Sequence, residues 1–181
     1  LHLSIRRQRQ MCIRDRERAA RIARAQALMR VHNIGSVLIE PGASMVYFSG
    51  VRWWRSERLT ALILPAEGEP CIVTPFFEEP SVRESLGIPA EIRVWQEHES
   101  PARIVAGFLR DRGLAERAVG IEAMVRHFAV ADLGRALPDA PLVPARAIVE
   151  ACRRVKSPAE IRLMQVATDI TIAAYRWVYP Q

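Results

Sequence analysis

Residues 59–74 read LTALILPAEGEPCIVT, and this stretch decides the class of fold. Two apolar runs, at residues 59–64 and 71–74, flank a segment rich in proline, glycine and glutamate. Apolar runs on either side of a short, turn-rich segment predict a β-hairpin with a loop of about five or six residues. The stretch therefore predicts two neighbouring antiparallel strands.

Candidate strands and helices alternate on both sides of this hairpin. The patterns predict helices at residues 17–32, 77–86, 100–111 and 127–137, and strands at 36–40, 91–95 and 118–121. Residues 45–48 are predicted as a short extended or helical piece. Alternation of this kind predicts an α/β layered domain, and the hairpin makes its β-sheet mixed rather than purely parallel. We therefore expect a mixed sheet flanked by helices.

A helix start signal lies near the end of the sequence, at Ser157-Pro158-Ala159-Glu160. Ser157 can accept from first-turn amides, Pro158 suits the first helical position, and Glu160 completes a capping box. Residues three or four apart then form one face of an amphipathic helix: Ile161, Met164, Ala167, Thr171, Ala174 and Val178. The sequence predicts a long helix at which a further domain begins.

The segment from Arg153 to Ile161, RRVKSPAEI, resembles the junction between the two domains of creatinase/prolidase-type metallopeptidases. Residues 47–50, YFSG, followed by a hairpin with Gly-Glu-Pro in its turn, are similar to the amino-terminal domain of that family. The resemblance covers residues 17–181. It implies a creatinase/prolidase amino-terminal-like domain at residues 17–150, then a linker and the first helix of a truncated, pita-bread catalytic domain at residues 151–181.

The resemblance implies hydrolysis of Xaa-Pro bonds, or of a related amide, by a hydroxide on two divalent metal ions such as Mn, Zn or Co. The implied ligands are two aspartates, a histidine and two glutamates, all in the catalytic domain. None of those motifs occurs in this sequence. We therefore expect no catalytic residue and no metal ligand here, and a fragment that is inactive alone. A homodimer that takes a peptide or small amide substrate through the catalytic domain is also implied.

The segment Arg52–Arg58, RWWRSER, is the candidate binding segment. Exposed tryptophans beside arginines are favoured at the centres of binding sites. The resemblance implies that this loop reaches toward the active site of a neighbouring subunit. Arg58 matches an arginine that in creatinase contacts a substrate carboxylate, which a guanidinium fork can hold bidentately. Trp53, Trp54 and Arg58 are therefore predicted substrate-binding residues in trans.

A purely structural interpretation of the same segment remains open. Trp53 and Trp54 can close the core, with Arg55 paired to Glu57 or the charges left in solvent. The intact protein could also be a non-catalytic module of the same fold that binds proteins or peptides. The presence or absence of the metal-ligand set in a longer chain would separate these two functions.

Other residues that could support chemistry have simpler interpretations. Residues 97–99, Glu-His-Glu, point in different directions and are predicted to form a solvated turn. The neighbouring Glu78 and Glu79 lie near a helix start, where carboxylates complement the helix dipole more often than they act as acid and base. Cys71 and Cys152 have no paired spacing, which predicts neither a disulfide framework nor a zinc site and favours a reducing cytoplasm.

The net charge of +6 is concentrated at the beginning of the chain. Residues 1–16 contain five arginines against Asp15 alone, and residues 11–16, MCIRDR, resemble a translated sequencing adapter. We predict a non-native leader at residues 1–16; a disordered basic tail and a twin-arginine export signal are the alternatives. Without that leader the charge is close to balanced, so no nucleic-acid partner is expected. No apolar run is long enough to span a bilayer, so no membrane partner is expected.

Overall fold

A computed structural model describes residues 15–179 of the chain. The predicted leader lies outside the described residues except for positions 15 and 16, which belong to the first helix. The helices are α1 Asp15–Val31, α2 Ala43–Ser49, α3 Glu79–Ser85, α4 Pro101–Asp111, α5 His127–Ala136, α6 Arg146–Arg154 and α7 Pro158–Val178. The strands are β1 Ile34–Ile39, β2 Ala61–Pro65, β3 Cys71–Pro75, β4 Glu91–Trp95, β5 Ala118–Ile121 and β6 Leu142–Pro144. The described chain forms two compact units, residues 15–153 and 154–179.

The first unit is built on a six-stranded sheet with the order β4-β3-β2-β1-β5-β6. Strand β2 pairs antiparallel with both of its neighbours, β1 and β3, whereas the β1–β5, β3–β4 and β5–β6 pairs are parallel. The hairpin predicted at residues 59–74 is therefore confirmed, and it is what makes the sheet mixed. One consequence is that the carboxyl ends of five strands and the amino end of β2 share one edge of the sheet.

Helices cover both faces of the sheet. On one face α1, α2 and α6 pack on a cluster that includes Val37, Ile39 and Phe48. On the other face α4 and α5 pack on a cluster that includes Leu38 and Phe108. Val37, Leu38 and Ile39 alternate between the two clusters because successive side chains of a strand point to opposite faces. The predicted α/β fold, a mixed sheet flanked by helices, is confirmed.

The structure decides several local points. Residues 45–48, predicted as an extended or helical piece, take the helical form and belong to α2. The Ser100 side chain makes no cap hydrogen bond, so Pro101 at the first helical position is the start signal for α4. Strand β6 and helix α6 had no sequence prediction, because β6 has only three residues and proline interrupts its pattern.

The second unit contains α7, and its predicted start is confirmed. The Ser157 hydroxyl accepts from the Glu160 backbone N–H at 3.2 Å, while the Glu160 carboxylate accepts from the Ser157 N–H at 2.8 Å. No residue of α7 is buried among the described residues, and both Ile161 and Met164 on its apolar face are exposed. In the described part of the chain, no helix has the length and apolar character that a membrane crossing requires.

Candidate functional site

Polar side chains gather at the carboxyl edge of the sheet. Glu40 directly follows β1, Glu122 directly follows β5, and Glu78 ends the short 3₁₀ turn after β3. Residues 50–60, which lead into the amino end of β2, meet the same edge. Acidic residues that directly follow buried strands are the sequence signal for this site, and of the three glutamates only Glu78 was among the predicted candidates.

Glu40 and Arg126 form a buried ion pair that spans two strands of the sheet. The Glu40 side chain is fully buried, and the Arg126 guanidinium donates to Oε1 from Nη2 at 2.6 Å and from Nε at 3.0 Å. The Arg126 backbone N–H also donates to Oε2 at 2.8 Å. Because both carboxylate oxygens are satisfied, the burial of this charge is compensated.

The same guanidinium holds the candidate binding loop in place. Arg126 Nη1 donates to the backbone carbonyl of Ser56, and its Nη2 lies 3.5 Å from the carbonyl oxygen of Arg58. The guanidinium carbon lies 4.6 Å from the ring centroid of Phe128, which closes the other side. Arg126 therefore positions residues 56–58 against the edge of the sheet.

Glu122 anchors a second polar network at this edge. The buried Ser44 hydroxyl donates to Glu122 Oε1 at 2.9 Å, and the Met124 backbone N–H donates to Oε2 at 2.7 Å. Arg153, at the end of the first unit, donates from Nη1 to the Ser44 hydroxyl at 2.8 Å. A hydroxyl therefore joins a buried carboxylate to an arginine that has no carboxylate partner within residues 15–179.

Trp53 and Trp54, the two tryptophans predicted to bind substrate, have different environments. Trp53 packs against the core and donates from Nε1 to Glu78 Oε2 at 3.0 Å. The same Glu78 oxygen lies 3.1 Å from the Thr60 hydroxyl and 3.3 Å from the Thr74 hydroxyl. Trp54 is 90% exposed. Trp53 therefore makes contacts that support the fold, and Trp54 is the more exposed of the two tryptophans.

Arg58 is engaged by acidic neighbours in this structure. Its Nε donates to Glu97 at 2.7 Å, its Nη1 pairs with Glu57, and its guanidinium carbon lies 5.4 Å from the Phe77 ring centroid. The hydrogen bond with Glu97, together with nearby carboxylates, raises the pKa of Arg58 above its usual value. The considered pairing of Arg55 with Glu57 is wrong, because Glu57 pairs with Arg58.

A cleft of about 1060 Å³ lies on one side of the candidate loop. Its walls are the turn after β1, the first half of α2, residues 52–55, the segment after β5, and Arg153. Arg55 Nε donates to the Pro41 carbonyl at 3.1 Å and holds the loop over this turn. Gly42 has a φ of 151°, a conformation that side-chain-bearing residues rarely adopt, so glycine suits this turn. Trp53 and Trp54 line the cleft, whereas Arg58 does not.

In the described part of the chain, few side chains are arranged to bind a metal ion or to act as a nucleophile. Residues 15–179 contain no group of three or more metal-ligating side chains. Glu97 pairs with Arg58, and Glu99 accepts from the Gln96 backbone N–H at 2.7 Å, so residues 97–99 form a turn rather than a ligand set. Glu79 pairs with Arg83 at 2.6 Å on the surface of α3. Cys71 and Cys152 are both buried free thiols.

Burial of Cys71 makes the free energy of unfolding depend on pH. Loss of solvation raises the pKa of the Cys71 thiol from 9.0 to about 12, and the Glu91 carboxylate adds to this effect. The unfolded thiol ionises first as the pH rises, so this stabilising contribution is present below pH 9 and is lost toward pH 12. Between pH 8 and 10.5 we expect Cys71 to account for about 2 kcal/mol of lost unfolding free energy, at 1.36 kcal/mol per pKa unit.

Urea unfolding at the two pH values measures this effect. The Cys71→Ala variant retains every other titrating group, so the difference between its pH dependence and that of the parent chain isolates the thiol. Identical pH dependence in the two chains would contradict the prediction.

The fold defines a class of α/β domains built on a mixed sheet, with the candidate loop at its carboxyl edge and no group of three or more metal-ligating side chains among the described residues. The family model for the Creatinase/Prolidase N-terminal domain matches residues 21–155. The chain belongs to this family.

Individual relatives agree with the family match. The chain is 30% identical over 151 residues to a probable dipeptidase PepE of Mycobacterium bovis, covering 82% of this chain and 39% of the relative. The crystal structure of dipeptidase PepE from Mycobacterium ulcerans matches with a TM-score of 0.73 and 31% identity, covering 83% of this chain and 40% of that chain. The N-terminal domain of a Xaa-Pro dipeptidase from Lactobacillus brevis has the same fold, with a TM-score of 0.64 and 19% identity, covering 74% of this chain and 98% of that chain. The chain thus spans about two fifths of the length of the PepE relatives.

Proposed function

We propose that this chain is the amino-terminal part of a Xaa-Pro dipeptidase-type metallopeptidase, and that it supports oligomerisation and substrate access. Hydrolysis belongs to a catalytic domain with two divalent metal ions, outside the residues present here. The observation that carries this proposal is the family match over residues 21–155 in a chain that spans 39% of a probable dipeptidase. The working form is a cytoplasmic homodimer.

The domain boundaries follow from the same proposal. Residues 17–150 form the amino-terminal domain, residues 151–181 form the linker and the first helix of the catalytic domain, and residues 1–16 are a leader foreign to the protein. The exposed apolar face of α7, with Ile161 and Met164, supports this division because such a face gains stability when another element covers it.

Trp53, Trp54 and Arg58 are the proposed substrate-binding residues in trans, and each has a different role. Trp53 supports the loop from beneath through Glu78, Trp54 offers an exposed indole, and Arg58 offers a guanidinium. Arg58 must exchange Glu57 or Glu97 for a substrate carboxylate, because both acids occupy it in this structure. These acids keep the guanidinium oriented until a ligand arrives.

Dipeptide hydrolysis tests the proposal at two levels. This chain, supplied with Mn²⁺, Zn²⁺ or Co²⁺, is expected to release no proline from Gly-Pro, and metal-dependent turnover would contradict the assignment of catalysis elsewhere. In a longer form that includes the catalytic domain, Arg58→Ala is expected to raise KM for a dipeptide by about tenfold, which is about 1.4 kcal/mol of binding.

The matched control is Arg135→Ala, since Arg135 is an exposed arginine paired with Asp132 on the surface of α5. A dipeptide amide, which lacks the carboxylate, is expected to show little change in KM on Arg58→Ala. An equal rise for the dipeptide and its amide would contradict the carboxylate contact. A longer form that binds dipeptides without hydrolysing them would support the alternative, a non-catalytic binding module.

A further inference from the structure

Three arginines line the cleft beside the candidate loop, and none of them has an acidic partner among the described residues. Arg55 donates to a backbone carbonyl and Arg153 donates to the Ser44 hydroxyl. Arg52 makes no hydrogen bond or ion pair within residues 15–179. Several other arginines of the first unit pair with carboxylates: Arg83, Arg93, Arg112, Arg126 and Arg146. Arginines without such a partner also occur outside the cleft, but there they donate to backbone carbonyls or to Asn33, as Arg30, Arg110 and Arg117 do, or are exposed singly, as Arg103 is. The cleft differs in bringing together three arginines that lack a carboxylate partner.

The acidic residues in the cleft wall do not cancel this charge. Glu40 is neutralised by Arg126, which is not part of the lining. Glu122 already accepts from Ser44 and from the Met124 backbone N–H with its two oxygens. With one unneutralised carboxylate against three guanidinium groups, the lining has an excess of positive charge. An anionic ligand complements that excess.

The remaining wall of the cleft is apolar and includes a flat aromatic surface. Trp54 is 90% exposed and Met124 is exposed, and both line the cleft together with Val46. An exposed indole next to guanidinium groups is a surface on which a flat apolar group can stack while an acidic group meets the arginine forks. The volume of about 1060 Å³ lies just above the usual range for small-molecule sites, so a small organic ligand fits with room for water.

We propose that this cleft binds a small organic anion, with its carboxylate or phosphate group held by Arg52, Arg55 and Arg153 and its flat apolar group placed against Trp54. The site lies entirely within residues 40–153, and Trp54 is the one residue of the proposed contacts that it shares with the proposed substrate-binding set. Its anion-binding arginines do not belong to that set, so anion binding can be measured on the 181-residue chain without any hydrolase activity.

Calorimetric titration of the chain with four probes tests the proposal. Phenylacetate and phenyl phosphate have the required anion and ring, phenylacetamide lacks the charge, and acetate lacks the ring. We expect both aromatic anions to bind at least tenfold more tightly than phenylacetamide and acetate. The tighter of the two aromatic anions then identifies carboxylate or phosphate as the preferred group.

Three cleft variants and one matched control assign the binding to this site. Arg52→Gln and Arg153→Gln are each expected to weaken binding of the aromatic anions about tenfold or more, while leaving the melting temperature close to that of the parent chain. Arg103→Gln removes an exposed, unpaired arginine from α4, which packs on the opposite face of the sheet, and is expected to change nothing. Trp54→Ala is expected to weaken phenylacetate binding and leave acetate binding unchanged.

Two results would overturn the proposal. Equal affinities in the Arg52→Gln, Arg153→Gln and Arg103→Gln chains would show that the anions respond only to the overall positive charge. Binding of phenylacetamide as tight as that of phenylacetate would show that the arginines contribute nothing. Because Arg52 is exposed and has no hydrogen bond or ion pair within residues 15–179, its variant remains informative even where Arg153→Gln perturbs the Ser44 network.

Discussion

Replacing Arg126 by methionine is expected to lower the unfolding free energy of the domain by about 3–5 kcal/mol. The Glu40 side chain is fully buried, and in the variant only the backbone N–H of residue 126 would still donate to it. Removing the guanidinium in this way leaves a buried carboxylate without a neutralising charge and with one hydrogen-bond donor. Because that one donor remains, we expect the loss to fall at the lower end of the range.

Urea unfolding followed by circular dichroism measures this loss. Arg135→Met is the matched control, because Arg135 is an exposed arginine with an acidic partner three residues away, and its removal is expected to cost less than about 0.5 kcal/mol. The double variant Glu40→Met, Arg126→Met removes both charges and is expected to recover most of the loss. A single variant within about 1 kcal/mol of the parent would show that the pair does not stabilise this edge.

Truncating Phe108 to alanine is expected to cost about 3–5 kcal/mol, because the ring is fully buried between α4 and the sheet. The truncation leaves a cavity that the strands on one side can only partly fill. The ring also lies 5.2 Å from the Arg93 guanidinium carbon and 5.1 Å from that of Arg112. Loss of these contacts adds about 0.5–1 kcal/mol each at positions near the surface.

The control for this variant is Phe76→Ala. Phe76 is 45% exposed, and its ring lies at a right angle to that of Phe77, with 5.5 Å between the centroids. Its truncation is expected to cost less than about 1 kcal/mol in the same urea titration. A loss below about 2 kcal/mol for Phe108→Ala would mean that the layer formed by α4 and α5 closes around the missing ring.

Most of the strands and helices could be predicted because their signals are local. The hairpin at residues 59–74 and the capping box at Ser157 each depend on neighbouring residues, and both are present as predicted. Strand β6 was missed because three residues give no periodicity to detect. Helix α6 was missed because it falls in the segment that the sequence analysis treated as a junction.

The candidate site was only partly predictable. Trp54 stood out by its residue type and is exposed, whereas the role of Glu40 and Arg126 depends on a contact between residues 86 positions apart. The expected pairing of Arg55 with Glu57 assumed that near neighbours meet. Instead Arg55 donates to the Pro41 carbonyl and Arg58 donates to the Glu97 carboxylate, because the loop folds back over the edge of the sheet.

The sequence by itself determined the mixed α/β class, the capped helix at Ser157 and the family, since periodicity, turn residues and cap residues act within a few positions of the chain. Only the tertiary structure decided which charges are neutralised. Strands β1 and β5 bring Glu40 to Arg126 and Glu122 to Ser44, and they leave Arg52, Arg55 and Arg153 unpaired around one cleft. Pairing between distant charges depends on strand order and register, which local patterns do not specify.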